Sequence, residues 1–489
     1  MRSSLYVQFF LIILIFNISL LHAQIADVIP EKLNPSFHAS RRQALREELP
    51  LNSCAVFFSN PIRNRSNDVD YPYHQDPDLY YLTGFTEEDA VFMIFKENVK
   101  IGNDTTNEVL FVQERNPHTE MWVGKRMGPY EAKKYLGIKL VLNAFQLDSI
   151  KSNLKNLQTI LYYDLPEDIR NENYNKTDLF DLVNKFNKME KPVWLSSDKQ
   201  HVHATENSIY FPKDRHETLD SLMGELRQLK QPEELEILKK AINISCLAQI
   251  EVMKAVTPDM SEREIQGMHE FIHKKFGAGE EGYPSILGGG SNACVLHYTS
   301  NNKNKVGNNL VLMDVGAEYG GYTADVTRTI PANGKFSEEE KKIYALVLKA
   351  QNAGIEKCQP GQEFKAPHKA ALEVISNGLL ELGIIKTKED ARKYFPHGTS
   401  HYLGLDVHDK GNYGKLQPGM VITVEPGIYI TENSDCDKKW WGIGVRIEDD
   451  ILITEKGWEN LSVLAPREVE EIEKLIKEES FFNKVLLRE

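Results

Sequence analysis

Four acidic residues in the second half of the chain stand at the ends of apolar runs, and they constrain the fold more than any other feature. Asp314 follows Val311-Leu-Met313 and precedes Val315-Gly316. Asp325 sits in Tyr322-Thr-Ala-Asp-Val-Thr-Arg-Thr329. Glu425 follows Val421-Ile-Thr-Val424 and precedes Pro426-Gly427. Glu448 closes Gly444-Val-Arg-Ile447 and leads into Asp449, Asp450 and another apolar run. An acid at the end of a buried strand is costly unless it is paired or holds a metal. One such acid reads as an ordinary strand-end cap. Four of them, together with His401, read as a set. Carboxylates with one imidazole suit hard or borderline divalent ions such as Mn²⁺, Co²⁺, Fe²⁺ or Zn²⁺. Because carboxylates can bridge, such a set can hold two ions about 3.5–4 Å apart.

Histidines cluster in the same region. His397-Gly-Thr-Ser-His401 and His408 fall close together. Gly398, Thr399 and Ser400 disfavour a helical pair of ligands, so a loop or strand presenting alternate side chains fits better. His297, in Val295-Leu-His-Tyr-Thr299, follows the turn-rich Gly288-Gly-Gly-Ser-Asn292 and reads as a cleft edge. One motif competes with this set. His269-Glu270-Phe-Ile-His273 matches H-E-x-x-H, the helical zinc-peptidase pattern. Ile265, Met268, Ile272 and Phe276 form an apolar stripe that takes in His269. The segment therefore reads as an ordinary amphipathic helix.

The chain has 489 residues, which suggests about three domains at roughly 150 residues each. It is long enough to bury a large core without staples. A net charge of −13 and the lack of a long basic run argue against nucleic acid as the main partner. Five cysteines with no C-x-x-C pair do not make a disulfide scaffold, although one bridge stays open. Arg2, the apolar run Leu5 to Leu21, and Leu21-His22-Ala23 read as a signal peptide over residues 1–23. An uncleaved anchor is the competing reading. No later stretch is apolar enough to span a bilayer, so no stable membrane insertion is expected after signal removal. Sequons at Asn64, Asn103, Asn175, Asn243 and Asn460 matter only in a eukaryotic secretory route.

Secondary-structure signals give an α/β organisation. A helix is expected over Arg41 to Glu48. Buried strands are expected at Cys54–Ser59, Ala90–Phe95 and Val109–Val112. Residues 166–180 read as a surface loop. Gln231-Pro232-Glu233-Glu234 opens a long helix. One helix ends in Lys254-Ala-Val-Thr-Pro258 and is followed by a second, Glu262 to Phe276. Another ends in Glu356-Lys-Cys-Gln-Pro360 and is followed by Pro367 to Leu382. Strands at Leu310–Met313 and Met420–Val424 come after the two pairs, so the region reads as two similar halves. Val469, Ile472, Leu475 and Ile476 place a docking helix in the tail 466–489.

Taken together, these segments resemble the pita-bread metallopeptidases, and among them aminopeptidase P, the Xaa-Pro aminopeptidases. In the second unit the resemblance rests on Leu296-His-Tyr-Thr299, Leu312-Met-Asp-Val-Gly316, Ala324-Asp-Val-Thr-Arg-Thr329, His397-Gly-Thr-Ser-His-Tyr-Leu-Gly404, Asp406-Val-His-Asp409, Thr423-Val-Glu-Pro-Gly427 and Val445-Arg-Ile-Glu-Asp449. In the first it rests on Tyr71-Pro-Tyr-His-Gln75, Tyr80-Tyr-Leu-Thr-Gly-Phe85 and Glu120-Met-Trp-Val-Gly-Lys-Arg126. The resemblance implies a mixed-sheet α/β amino-terminal domain over 24–190 and a linker over 191–215. A pita-bread catalytic domain of two pseudo-symmetric halves would follow over 216–465, then a carboxy-terminal helix over 466–489. It implies that Asp314, Asp325, His401, Glu425 and Glu448 are metal ligands, with Asp325 and Glu448 touching both of two divalent ions. Mn²⁺ is the first choice, and Co²⁺ or Zn²⁺ also fit. His297 and His408 would contact substrate and assist proton transfer. His397 would be a further active-site histidine, Glu425 a general base, and Arg446 a support for the carboxylates. The implied substrates are peptides with proline second, cleaved by an exported homo-oligomeric enzyme.

Other readings are weighed against this one. A prolidase restricted to Xaa-Pro dipeptides shares the domain plan and the ligands. A methionine aminopeptidase lacks the amino-terminal domain, and an exported enzyme meets no initiator methionines. A metal-free binding module or a creatinase-like enzyme does not fit an intact ligand set. A zincin using His269 and His273 would be dismissed by an active His269→Ala variant.

Overall fold

The computed structural model describes residues 32–163, 169–171, 176–189, 194–196 and 219–482. The signal peptide, the Asn175 sequon, most of the 191–215 segment and the end of the tail lie outside the described residues. The chain divides into two compact units. One is Lys32–Leu229 with Lys410–Asn412, and the other is Lys230–Asp409 with Tyr413–Glu489.

The first unit is built on a mixed six-stranded sheet. In spatial order its strands are Val141–Asn143, Asp104–Val112, Val91–Ile101, Ser53–Phe58, Thr159–Tyr162 and Trp194–Ser196. Cys54-Ala-Val-Phe57 is buried on both faces, as a central strand requires. It pairs antiparallel with Val91–Phe95 and parallel with Thr159–Tyr162. The strands expected at Ala90–Phe95 and Val109–Val112 prove to be the buried ends of one long hairpin that turns at Gly102. The helix expected from Arg41 begins at Pro35. Asn34 caps it by accepting the Phe37 amide at 2.9 Å, and Pro35 needs no donor partner there. Arg42 and Arg46 reach inward from this helix to one buried carboxylate, Glu108, each at 3.0 Å.

The second unit repeats a simple theme. The helix Pro232–Ala255 and its neighbour Glu262–Lys275 precede a three-stranded antiparallel sheet. Its strands are Ile286–Gly289, Leu310–Val315 and Val326–Pro331. The helices Glu338–Ile355 and Ala366–Glu381 precede a second such sheet, made of Val421–Val424, Asp449–Thr454 and Gly457–Asn460. Reciprocal Ser–Glu capping starts the second helix of the first pair and the first helix of the second. Ser261 accepts the Glu264 amide while Glu264 accepts that of Ser261, and Ser337 and Glu340 do the same. Ile265, Ile272, Ile343, Val347, Ala371 and Ile375 point into one apolar core with Val311, Met313 and Val315. The Val, Ile and Met side chains among these are each worth roughly 1.5–3 kcal/mol when fully buried. Among the described residues of the tail a helix runs Val469–Leu475 and docks through Val469 and Ile472. All five cysteines are free. Among the described residues no helix is long and apolar enough to cross a membrane.

A buried polar network sits at the start of the Pro232–Ala255 helix. Lys230 Nζ pairs with Asp409 Oδ2 at 2.7 Å, and Glu234 accepts the Gln231 amide and the Tyr322 hydroxyl. Burial pushes the Glu234 carboxyl up to about 7, against the pull of Lys230. Its folded pKa is therefore above its unfolded one. The folded chain holds the extra proton between about 4.5 and 7, so this contribution to stability falls as pH rises through that window. Glu234→Gln keeps the acceptor and removes the proton. Unfolding midpoints against pH should fall more steeply in the natural chain than in Glu234→Gln, by an amount of order 1–3 kcal/mol across the window. Parallel slopes would show that Glu234 is ionised in the fold.

Candidate metal centre and active site

The strand pairing brings the expected acids together. Asp314 lies in Leu310–Val315 and is in register with Thr327, while Asp325 immediately precedes the strand that contains Thr327. Glu448 sits between the strands Ile443–Arg446 and Asp449–Thr454. Its amide donates to Thr327 O at 3.1 Å and its carboxylate accepts from Thr327 Oγ1 at 2.6 Å. Thr327 therefore ties a side chain of one half to the strand of the other. Glu425 follows Val421–Val424, and its amide donates to Thr399 O at 2.9 Å. His401 is fixed two residues away by reciprocal bonds with Thr423.

One cavity of about 630 Å³ is lined by Asp314, Asp325, His401, Glu425 and Glu448, together with His297, His397, His408 and Arg446. Asp325, His401 and Glu448 can each offer a ligand atom within 4.8 Å of the other two. His401 Nε2 stands 3.5 Å from Asp325 Oδ2 and 3.7 Å from Glu425 Oε1. Its Nδ1 faces the Tyr402 carbonyl at 3.0 Å, so Nδ1 carries the proton and the Nε2 lone pair points at the acids. Asp314 is held otherwise, by Arg446 Nη2 on one oxygen and the Tyr283 hydroxyl on the other. Arg446 also donates to Tyr429 Oη at 2.9 Å.

The donor set fits a divalent ion. Burial, reinforced by the neighbouring acids, lifts the Asp325 and Glu448 carboxyls far above the usual range. Burial and then Glu448 push Glu425 up to about 8. Glu448 Oε1 is buried and has no hydrogen-bond partner. Acids this crowded either keep protons or share a cation, and a cation satisfies the orphaned oxygen as well.

The histidines divide into two kinds. His297 and His408 face the cavity from its rim, and the His408 ring meets His401 edge to face at 4.4 Å. Burial, then His401, lowers the His408 pKa. His397 has both ring nitrogens engaged. Nδ1 donates to Gly398 O at 2.6 Å and Nε2 accepts from Tyr429 Oη at 2.8 Å. Burial, then Arg446, lowers it to about 4, so it is a neutral, fixed ring rather than one titrating near neutrality. The helical H-E-x-x-H pair lines no part of the cavity. His269 is fully buried with Nδ1 on Ile265 O, and His273 pairs through Nδ1 with Glu281.

Tyr283, Thr327 and Tyr429 escaped the sequence reading. Their side chains touch the acids or Arg446, but a tyrosine before a proline or a threonine inside a strand carries no mark of that. Only the register reveals them.

The residues now stand in one arrangement that can be compared with known proteins. Residues 236–455 match the family described as metallopeptidase family M24, and residues 38–162 match the aminopeptidase P, N-terminal domain. The Xaa-Pro aminopeptidase of Escherichia coli (strain K12) is 37% identical over 452 residues, covering 89% of this chain and 96% of that protein. The chain belongs to metallopeptidase family M24. Within it the chain is similar to Xaa-Pro aminopeptidase 3 of Homo sapiens, at 32% identity over 87% of this chain and 81% of that protein. Among solved structures, aminopeptidase P from E. coli with the inhibitor Pro-Leu superposes with a TM-score of 0.79. It shares 32% identity and is matched over 91% of this chain and 99% of that one. The structure of Pseudomonas aeruginosa aminopeptidase PepP gives a TM-score of 0.78 at 33% identity, over 91% and 98%. The fold is accordingly the pita-bread fold behind an amino-terminal α/β domain, and the chain is a hydrolytic metalloexopeptidase of family M24.

Proposed function

We propose that the chain is an exported Xaa-Pro aminopeptidase that releases the residue preceding proline from the amino terminus of a peptide. The observation that carries this reading is the convergence of Asp314, Asp325, His401, Glu425 and Glu448 with His297 and His408 on one cavity. Relatives named Xaa-Pro aminopeptidase, aligned over most of both chains, support the same substrate class. In this reading the five residues hold two divalent ions, Mn²⁺ first and Co²⁺ or Zn²⁺ also compatible. When bound, such ions supply Lewis acidity and a water of lowered pKa.

The chain's own groups account for the rest. Proline makes the scissile bond a tertiary amide without N–H, so recognition falls on the carbonyl and the ring. Pro284, Ile286, Leu296 and Val407 give the cavity apolar walls against which a ring or side chain can pack. His297 and His408, on the rim, donate hydrogen bonds to the carbonyl oxygen as it gains charge. Glu425, ionised when a cation shares the cluster, accepts a proton from the attacking water and returns it to the leaving nitrogen. His397 and Arg446 hold Tyr429 and Asp314 in place. Export rests on residues 1–23, and amino-terminal sequencing of the secreted protein reads it directly. Assembly into a homo-oligomer follows the family resemblance and is read by light scattering.

Chromatography of two substrates tests the specificity. An Xaa-Pro-Yaa tripeptide should lose its first residue at a rate well above that for an Xaa-Pro dipeptide. Cleavage confined to the dipeptide would make the chain a prolidase.

A further inference from the structure

The H-E-x-x-H segment lines no part of the cavity, yet its second histidine has an unusual partner. His273 is fully buried near the end of the Glu262–Lys275 helix, and its Nδ1 donates to Glu281 Oε2. His273 Nε2 and Glu281 Oε1 are buried without any hydrogen-bond partner. Orphaned buried polar atoms are costly, so the pair is retained against a penalty. What it restrains is a soft segment. Gly277 has φ +91°, in the left-handed region, and Gly279 follows it.

Beyond that segment the backbone is zipped to the strand edge. Gly279 N donates to Glu318 O, Glu318 N to Glu280 O, and Gly282 N to Gly316 O, with Glu281 and Ala317 in a bridge. The approach is close enough to exclude side chains. A Cβ on Gly282 would lie 1.8 Å from Thr323 Oγ1, and one on Gly316 would lie 2.7 Å from the Tyr283 ring. Tyr283 is thereby pressed over Gly316, and its hydroxyl stands 2.5 Å from Asp314 Oδ1 and 2.6 Å from Asp325 Oδ1. One phenol thus sets the spacing of two aspartates from adjacent strands.

We propose that the His273–Glu281 pair is a positioning device for the metal centre, acting through Tyr283 on Asp314 and Asp325. His273, Glu281 and Tyr283 are positioning residues in this scheme, not catalytic ones. The inference rests on the reading of those aspartates as metal ligands. Partners that orient metal ligands typically contribute 10–100-fold to metal affinity. Residues acting through a shared partner show non-additive effects.

The experiment is a Co²⁺ titration of metal-stripped full-length protein, followed by visible absorption, with thermal unfolding of the metal-free form as a check on folding. Tyr283→Phe and His273→Leu should each weaken Co²⁺ binding by roughly 10–100-fold. In the Tyr283→Phe background, His273→Leu should add little. His273→Asn, which keeps a donor near the Nδ1 position, should retain natural affinity, and it serves if the leucine variant fails to fold. Full additivity of Tyr283→Phe and His273→Leu would overturn the proposal. So would loss of affinity in His273→Asn with unchanged unfolding, or natural affinity in the single variants. A natural chain that takes up no Co²⁺ would instead overturn the ligand reading itself, and the inference with it.

Discussion

Glu425→Gln in the metal-loaded protein should lose at least about 10²–10⁴-fold in kcat, the usual contribution of a positioned general base. The substitution keeps the shape of the side chain and removes both the negative charge toward the ions and the proton affinity. Burial and the neighbouring Glu448 push this carboxyl up to about 8 in the metal-free cluster, and a bound cation would return it to the ionised form that can accept a proton. The fold should survive. A neutral amide removes repulsion from the metal-free cluster, so the unfolding midpoint of stripped Glu425→Gln should equal or exceed that of the natural chain near pH 8. His401→Ala is its companion. It removes a ligand atom that faces Asp325 and Glu425, and it too should be silent but folded. Steady-state kinetics beside thermal unfolding reads both, and undiminished turnover in either variant would sink the site.

The second large effect concerns stability rather than chemistry. Arg328 is fully buried, and its Nη2 donates to the equally buried Asp449 at 2.7 Å. Its guanidinium also serves the carbonyls of Thr327, Glu448 and Ala465. Arg328→Met fills much of the volume but removes the guanidinium donors from the Glu448 and Ala465 carbonyls, while Thr327 O keeps the Glu448 amide. Asp449 would then rely on Arg467, Asn460 and Gln351. Breaking a buried ion pair from one side costs about 3–5 kcal/mol. For a unit of this size that is a fall of roughly 6–20 °C in the unfolding midpoint. Calorimetry on the metal-free protein checks it, and a shift below about 1 kcal/mol would mean that water or Arg467 replaces the lost partner. Because Arg328 grips the Glu448 carbonyl, metal affinity should weaken in the same variant.

Much of the centre was legible in the chain because its residues announce themselves by contradiction. Asp314, Asp325, Glu425 and Glu448 interrupt or end apolar runs where an acid is expensive, and the structure brings all of them to one cavity. The helix start at Gln231-Pro232 was legible from its early proline and first-turn acids. The start at Pro35 was missed because Asn34-Pro35 lies ahead of any apolar periodicity. The hairpin of Val91 to Val112 was read only at its buried ends, since its exposed tip carries no alternating pattern. Of the supporting residues only Arg446 was named, through the resemblance, and Tyr283, Thr327 and Tyr429 were not. Thr327 matters because strand register sets it opposite Asp314 and hydrogen bonds tie it to Glu448. The resemblance placed His397 as a further active-site histidine, and the structure puts it in the cavity lining with both ring nitrogens engaged in hydrogen bonds.

The central claim is that Asp314, Asp325, His401, Glu425 and Glu448 support metal-dependent removal of a residue preceding proline. The most direct measurement is hydrolysis of an Xaa-Pro-Yaa tripeptide by protein stripped of metal, before and after adding Mn²⁺, Co²⁺ or Zn²⁺, with bound metal counted by elemental analysis. The stripped protein should be silent, and activity should return as the bound metal approaches two ions per chain. Hydrolysis that persists in fully stripped protein, or that no divalent ion restores, would contradict the account.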